Sequence, residues 1–218
     1  MIRNLRIAPE GYSIIAFIFI LYLLFNVLTI YFNLAWLNLM TNTIGFLFLG
    51  TCFFFRDPKR KILNKHQDFL SPADGTILSV KNYQDSKIGD SKKISIFLSV
   101  LNVHRQWVPF NSRVIDTQYN PGTFFGAFLD KASEKNEQTS IYFSDNYNNI
   151  FRIKQIAGFV ARRIVNHMNP DSDVTQGENL GFIKFGSRVE IIVPSNFDVN
   201  VKKGMKVKGC KTVIGKFN

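Results

Sequence analysis

From Gly11 to Phe55 the chain runs 45 residues without an Asp, Glu, Lys or Arg, and Phe, Leu and Ile dominate the stretch. A helix needs about 20 apolar residues to cross the hydrocarbon layer, so there is room for two crossings. Ser13 to Phe32 reads as the first and Leu34 to Phe55 as the second, with Asn33 near the turn. Asn38, Thr41, Asn42 and Thr43 make the second span the weaker one, and a re-entrant hairpin satisfies the same pattern. A hairpin buried in a soluble core does not, because so long a charge-free run exceeds what a domain of this size usually contains. Arg3 and Arg6 precede the stretch, while Arg56, Lys59, Arg60 and Lys61 follow it. Basic flanks stay on the cytoplasmic side, which predicts an even number of crossings in the inner cell membrane, with everything after Arg56 inside the cell. The run is too long for a cleaved signal peptide and no cleavage signature follows it.

Residues 1–56 are therefore read as a membrane hairpin and 57–218 as one domain, since 218 residues give one good core but not comfortably two. Most of the formal charge of +11 lies after residue 55, with 25 basic residues against 15 acidic ones. Beside a membrane anchor this balance points to anionic lipid, and without a nucleic-acid motif no nucleic-acid partner is expected. Cys52 and Cys210 are too few and too far apart for a disulfide framework, which fits a reducing compartment.

Beyond the charged collar Arg56 to Lys61, where Pro58 marks a boundary, the pattern turns to strand. Leu70 to Val80 reads as a turn entering an alternating strand, followed by Ile94 to Leu98 and Arg113 to Tyr119. Tyr142 to Ile156 adds strand on either side of an Asp145 to Asn149 turn, and Asn200 to Gly209 a short strand and turn. Phe124 to Lys135 and Gly158 to Val165 stay open between helix and other structure. The expected class is mainly β (α+β): a compact barrel- or sandwich-like domain behind a helical hairpin.

The soluble part reads as organised around Leu180 to Val193. Its alternation is interrupted at Phe185-Gly186-Ser187, so it reads as two short strands or one strand kinked at Gly186. With no Cβ on Gly186, the Ser187 hydroxyl can approach the Gly186 carbonyl carbon, and attack there turns a peptide bond into an ester. Gly-Ser is also a common turn or bulge dipeptide. Among His66, His104 and His167, context singles out His104, which follows an apolar strand and sits with Asn102, Arg105 and Trp107. An Asp, a His and a Ser on separate strand ends are the parts of an activated nucleophile. There is no metal-ligand cluster and no nucleotide-binding glycine motif.

In order and spacing, Phe55-Arg56-Asp57-Pro58, Ser71-Pro72-Ala73-Asp74-Gly75, Asn102-Val103-His104-Arg105, Tyr119-Asn120-Pro121-Gly122, Asn136-Glu137 and Phe185-Gly186-Ser187 resemble the phosphatidylserine decarboxylase proenzymes of short bacterial or archaeal type. The resemblance covers nearly the whole chain. It implies that Ser187 is the processing serine, His104 its base and Asp74 the carboxylate orienting His104. Self-cleavage between Gly186 and Ser187 would leave a heavy chain of residues 1–186 and a light chain of 187–218. Ser187 would become a pyruvoyl group forming a Schiff base with the amine of phosphatidylserine, with no metal and no pyridoxal phosphate. Read from the residues themselves, Arg162 and Arg163 are either a solvated face or, if exposed near the site, phosphate partners, and Phe124, Phe125 and Phe128 are either core or acyl-chain contacts. A homo-oligomer is compatible with the resemblance. Longer members often carry His-x-x-His where this chain has His104 to Trp107, and a Ser or Thr after the Gly-Ser pair, which this chain lacks.

Two other classes fit parts of the pattern. One is a membrane-anchored, non-enzymatic barrel-sandwich binding or carrier domain, though Gly204-Met205-Lys206 lacks the Met-Lys-Met context of a carrier lysine. The other is a hydrolase using Ser187 intact, against which stands the missing Gly-x-Ser-x-Gly elbow.

Overall fold

The computed structural model describes residues 5–62, 68–123, 126, 135–158, 163–184 and 187–217, and it divides into two compact units, Met1–Lys59 and Arg60–Asn218. The first holds β1 (Leu5–Ile7), a 3-10 turn at Pro9–Gly11, α1 (Tyr12–Phe32), α2 (Ala35–Phe54) and β2 (Arg56–Pro58). Asn33 ends α1 in the left-handed region at φ +48°, with its N–H on the Thr29 carbonyl at 2.9 Å. Thr41 and Thr43, two of the polar residues that weaken the second span, are paired within the hairpin. Thr43 Oγ1 donates to the Leu39 carbonyl at 2.8 Å, and the Thr41 and Thr29 hydroxyls meet across the helix pair at 2.9 Å. Hydrocarbon tolerates such groups only when they are paired internally. Both helices are long and apolar enough to cross a membrane, and Ile20, Ile30, Phe46 and Leu49 stand exposed along them. β1 and β2 pair antiparallel where the hairpin opens, with Arg6 opposite Asp57. Part of the charged collar is thus strand, not linker.

In the second unit the chain forms β3 (Phe69–Leu70), β4 (Gly75–Asp85), β5 (Gly89–Leu98), β6 (Arg105–Trp107), β7 (Ser112–Asn120), β8 (Gln138–Ser144) and β9 (Ile150–Ala157). It continues through β10 (Ile164–Asn166), β11 (Asp173–Val174), β12 (Asn179–Ile183), β13 (Ser187–Pro194), β14 (Asp198–Val199), β15 (Lys206–Val207) and β16 (Val213–Lys216). Eight strands make one antiparallel sheet in the order β11-β7-β8-β9-β13-β5-β4-β15, and the others make two three-stranded sheets, β10-β12-β6 and β14-β16-β3. β4 and β7 stand five strands apart, about 24 Å in a flat sheet. Yet Lys87, in the turn between β4 and β5, reaches Asp116 on β7 at 2.6 Å, and Asp85 meets Arg152 of β9 at 3.0 Å. The large sheet is therefore curled on itself, the barrel-like form expected of the sequence.

One face of β13 enters the main core through Val189, Ile191 and Val193, packed with Ile94, Ile96 and Ile153. Phe69 anchors the aromatic part, its ring 5.1 Å from Phe151 and 5.4 Å from Phe197. The opposite face of β13 carries Arg188 and Glu190, equally buried, where Glu190 Oε1 accepts from Ser95 Oγ at 3.3 Å. Leu180 to Val193 resolves into two strands in different sheets, β12 ending at Ile183 and β13 starting at Ser187.

Candidate active site

Ser187 opens β13, paired with Leu98 of β5 on one side and Ala157 of β9 on the other. It is 0% exposed, and its hydroxyl has no hydrogen-bond partner among the described residues. Asn136 and Glu137 brace the neighbouring strand: Asn136 Nδ2 donates to the Ala157 carbonyl at 2.7 Å and the Ala157 N–H to the Glu137 carbonyl at 2.9 Å.

His104 is also 0% exposed. Its Nδ1 lies 3.0 Å from the Asn102 carbonyl, which can only accept, so the neutral ring carries its proton on Nδ1 and Nε2 is the basic nitrogen. The His104 carbonyl accepts the Ile183 N–H at 3.4 Å. Ile183, the last residue of β12, thus bonds the His104 backbone four positions before Ser187 in the sequence. Gly186 itself lies outside the described residues, as do Arg162, Phe125, Phe128 and His66. Arg163 is exposed, and its carbonyl accepts the Lys184 N–H at 3.2 Å.

Asp74 sits one residue before β4, two strands from β13 in the same sheet, and is 8% exposed. Its carboxylate takes both Arg60 guanidinium nitrogens, at 2.5 and 2.6 Å, and the Gly209 N–H at 2.8 Å. None of these bonds comes from His104, contrary to the expected orienting contact. The physical reason is the fork of Arg60, which matches both carboxylate oxygens at once. Arg60 also donates to the Gly209 carbonyl at 2.7 Å and lies over the Trp107 ring at 4.4 Å. Trp107, standing where longer relatives often have a second histidine, therefore packs on the partner of Asp74. Ser71 completes the clasp, its carbonyl accepting the Cys210 N–H at 3.0 Å and its N–H donating to the Thr212 carbonyl at 2.8 Å. Burial pushes the Cys210 thiol up to about 12, with Arg60 pulling the other way. Nothing local in the sequence marks Arg60 for this role, since it sits in a basic run that reads as solvated.

The family model of phosphatidylserine decarboxylase matches residues 47–215. A phosphatidylserine decarboxylase proenzyme of Nitrosomonas eutropha is 40% identical over 165 residues, covering 75% of this chain and 76% of its own length. The proenzyme of the same name from Wolbachia pipientis wMel is 38% identical over 219 residues, covering 98% of this chain and 92% of its own. That of Rickettsia akari is 38% identical over 192 residues, covering 85% and 83%.

Proposed function

The chain belongs to the phosphatidylserine decarboxylase family, and from that premise we propose that it is a zymogen that cuts itself between Gly186 and Ser187 and decarboxylates phosphatidylserine to phosphatidylethanolamine with the pyruvoyl group so formed. It is a decarboxylase, a carboxy-lyase of phospholipid biosynthesis, so the carrier-domain and hydrolase readings fall away.

The observation that carries self-cleavage is the Ser187 hydroxyl, buried and unpartnered among the described residues, beside the peptide bond it would attack. An unsatisfied buried polar group costs about 1–3 kcal/mol. An alanine there would spare that cost, so the hydroxyl is of use for its chemistry, not its packing. In the proposed sequence His104 Nε2 takes the hydroxyl proton as Oγ adds to the Gly186 carbonyl carbon. The Gly186–Ser187 C–N bond breaks, leaving an ester and a free amine on residue 187. Loss of the residue 187 α-proton then expels the Gly186 carboxylate. One water replaces the nitrogen, which departs as ammonia, and a ketone remains.

Residue 187 suits such a group, being enclosed between Leu98 and Ala157 and fully buried. When present, the pyruvoyl ketone binds the substrate amine and draws electrons from the carbon that loses carbon dioxide. His104 Nε2 holds the proton returned to that carbon. Asp74 enters as a positioning residue, fixing its own turn to Gly209 through Arg60. Arg162 and Arg163 are the proposed contacts to the phosphodiester, Phe125 and Phe128 to acyl chains. The helical pair holds the enzyme in the membrane, with the second unit on the cytoplasmic face.

Intact mass of the purified protein tests the reading. Two chains of 186 and 32 residues are expected, and one chain of 218 from Ser187→Ala. A wild-type chain that stays whole while releasing carbon dioxide from phosphatidylserine overturns it.

A further inference from the structure

Two glutamines are buried beside this site where an apolar core has no need of them. Gln106 on β6 and Gln155 on β9 are both 0% exposed. Ser187 pairs with Ala157 and Val189 with Gln155, so Gln155 shares a sheet face with Ser187 and stands diagonal to it, about 7–8 Å away between backbones and within reach of a long side chain. Gln155 Nε2 donates to Gln106 Oε1 at 2.8 Å, and Gln106 Nε2 donates to the His104 carbonyl at 2.5 Å. Gly181, opposite Gln106 in the β12–β6 ladder, makes the room: a Cβ there would stand 2.8 Å from Gln155 Nε2 and run into the Val165 carbonyl.

The direction of this chain of bonds is fixed. The His104 carbonyl can only accept, so Gln106 turns its NH₂ toward it and its oxygen toward Gln155. Gln155 must then donate, which leaves its own Oε1 as the unused end. That oxygen is buried without a partner among the described residues, as is Ser187 Oγ on the same face. One orphan accepts and the other can donate.

We propose that Gln106 and Gln155 are positioning residues for the processing step: their amide relay holds His104 in register with Ser187, and Gln155 Oε1 is the acceptor to which the Ser187 hydroxyl turns as it gives its proton to His104. The inference rests on the self-cleavage reading. Its physical need is plain, because His104 adjoins the sheet of β6 and β12 whereas Ser187 belongs to the sheet of β9 and β13. Slippage of about 1 Å between a base and its nucleophile costs about 10²-fold in rate, and the relay is a bonded tie between the two sheets.

The test follows chain splitting over time by intact mass, with the full-length protein made by cell-free synthesis in detergent. Gln155→Met and Gln106→Met, which keep volume but not the bonds, should each slow splitting by about 10- to 100-fold, and the double variant should be no slower than the slower single, as for parts of one unit. Gln155→Glu adds a readout that packing alone would not move and serves if the Met variants fail to fold. Only a protonated carboxyl can donate to Gln106 and accept from Ser187, so the rate of this variant relative to wild type should rise as pH falls. The ratio cancels ionisation of His104 and of every other group the two proteins share. Met variants that split at the wild-type rate, losses that multiply in the double variant, or a pH-independent ratio for Gln155→Glu each overturn the relay. A wild-type chain that never splits overturns the self-cleavage reading, and the relay with it.

Discussion

Asp74 and Arg60 show how a single buried pair fixes a neighbourhood. With side chains 11% and 8% exposed, they satisfy each other in two-pronged fashion, and both bond the backbone of Gly209. Removing one partner from such a pair strands the other charge, so Asp74→Ala is expected to cost about 3–5 kcal/mol in denaturant unfolding. Arg60→Ala together with Asp74→Ala should cost less than the two single losses summed, because no charge is then left alone. If instead the losses add, the pair is not coupled and the clasp is held by Ser71 and Cys210. Residue identity at 74 was readable from sequence, but its partner was not. A guanidinium in a basic run next to a membrane looks the same before folding whether it ends in water or on a carboxylate 14 residues away.

At the scale of elements, close backbone approach sets tolerance. Gly75 begins β4, and a Cβ there would collide with the Phe97 carbonyl of β5, a backbone atom that cannot swing aside. Gly75→Ala should therefore destabilise the domain by about 1–3 kcal/mol, read as a lower denaturant midpoint with unchanged slope. Much of this layer was legible in advance. Val189, Ile191 and Val193 alternate because one face of a strand meets the apolar core, and the two spans were visible because nothing charged interrupts them. What alternation does not reveal is the fate of the other face. Arg188 and Glu190 fall on that other face, yet both are buried, with Glu190 on the Ser95 hydroxyl and Arg188 beside Glu190. Gln106 and Gln155 escaped for the same reason: a glutamine looks like surface until another strand is laid over it. The interruption between Ile183 and Ser187 was legible as a break, whereas the switch between sheets depends on pairings far away in sequence, such as Ser187 with Leu98.

For the molecule as a whole, the central fact is where the smaller proposed chain lies. β13 is an interior strand, paired with eight residues of β5 and six of β9, and β16 lies between β14 and β3. A cut before Ser187 breaks one covalent bond and none of these ladders. The processed protein is therefore expected to migrate as one species under native conditions and to separate into two only in denaturant. Two fragments that part without denaturant would mean that the ladder around β13 does not survive processing. That same interior strand makes maturation a one-way event for assembly. Before the cut, folding is a search within a single chain, independent of concentration. Afterwards, a molecule that has been unravelled must wait for two separate polymers to meet in dilute solution and thread a strand between neighbours that can close without it, so the enzyme can be built once and not readily rebuilt.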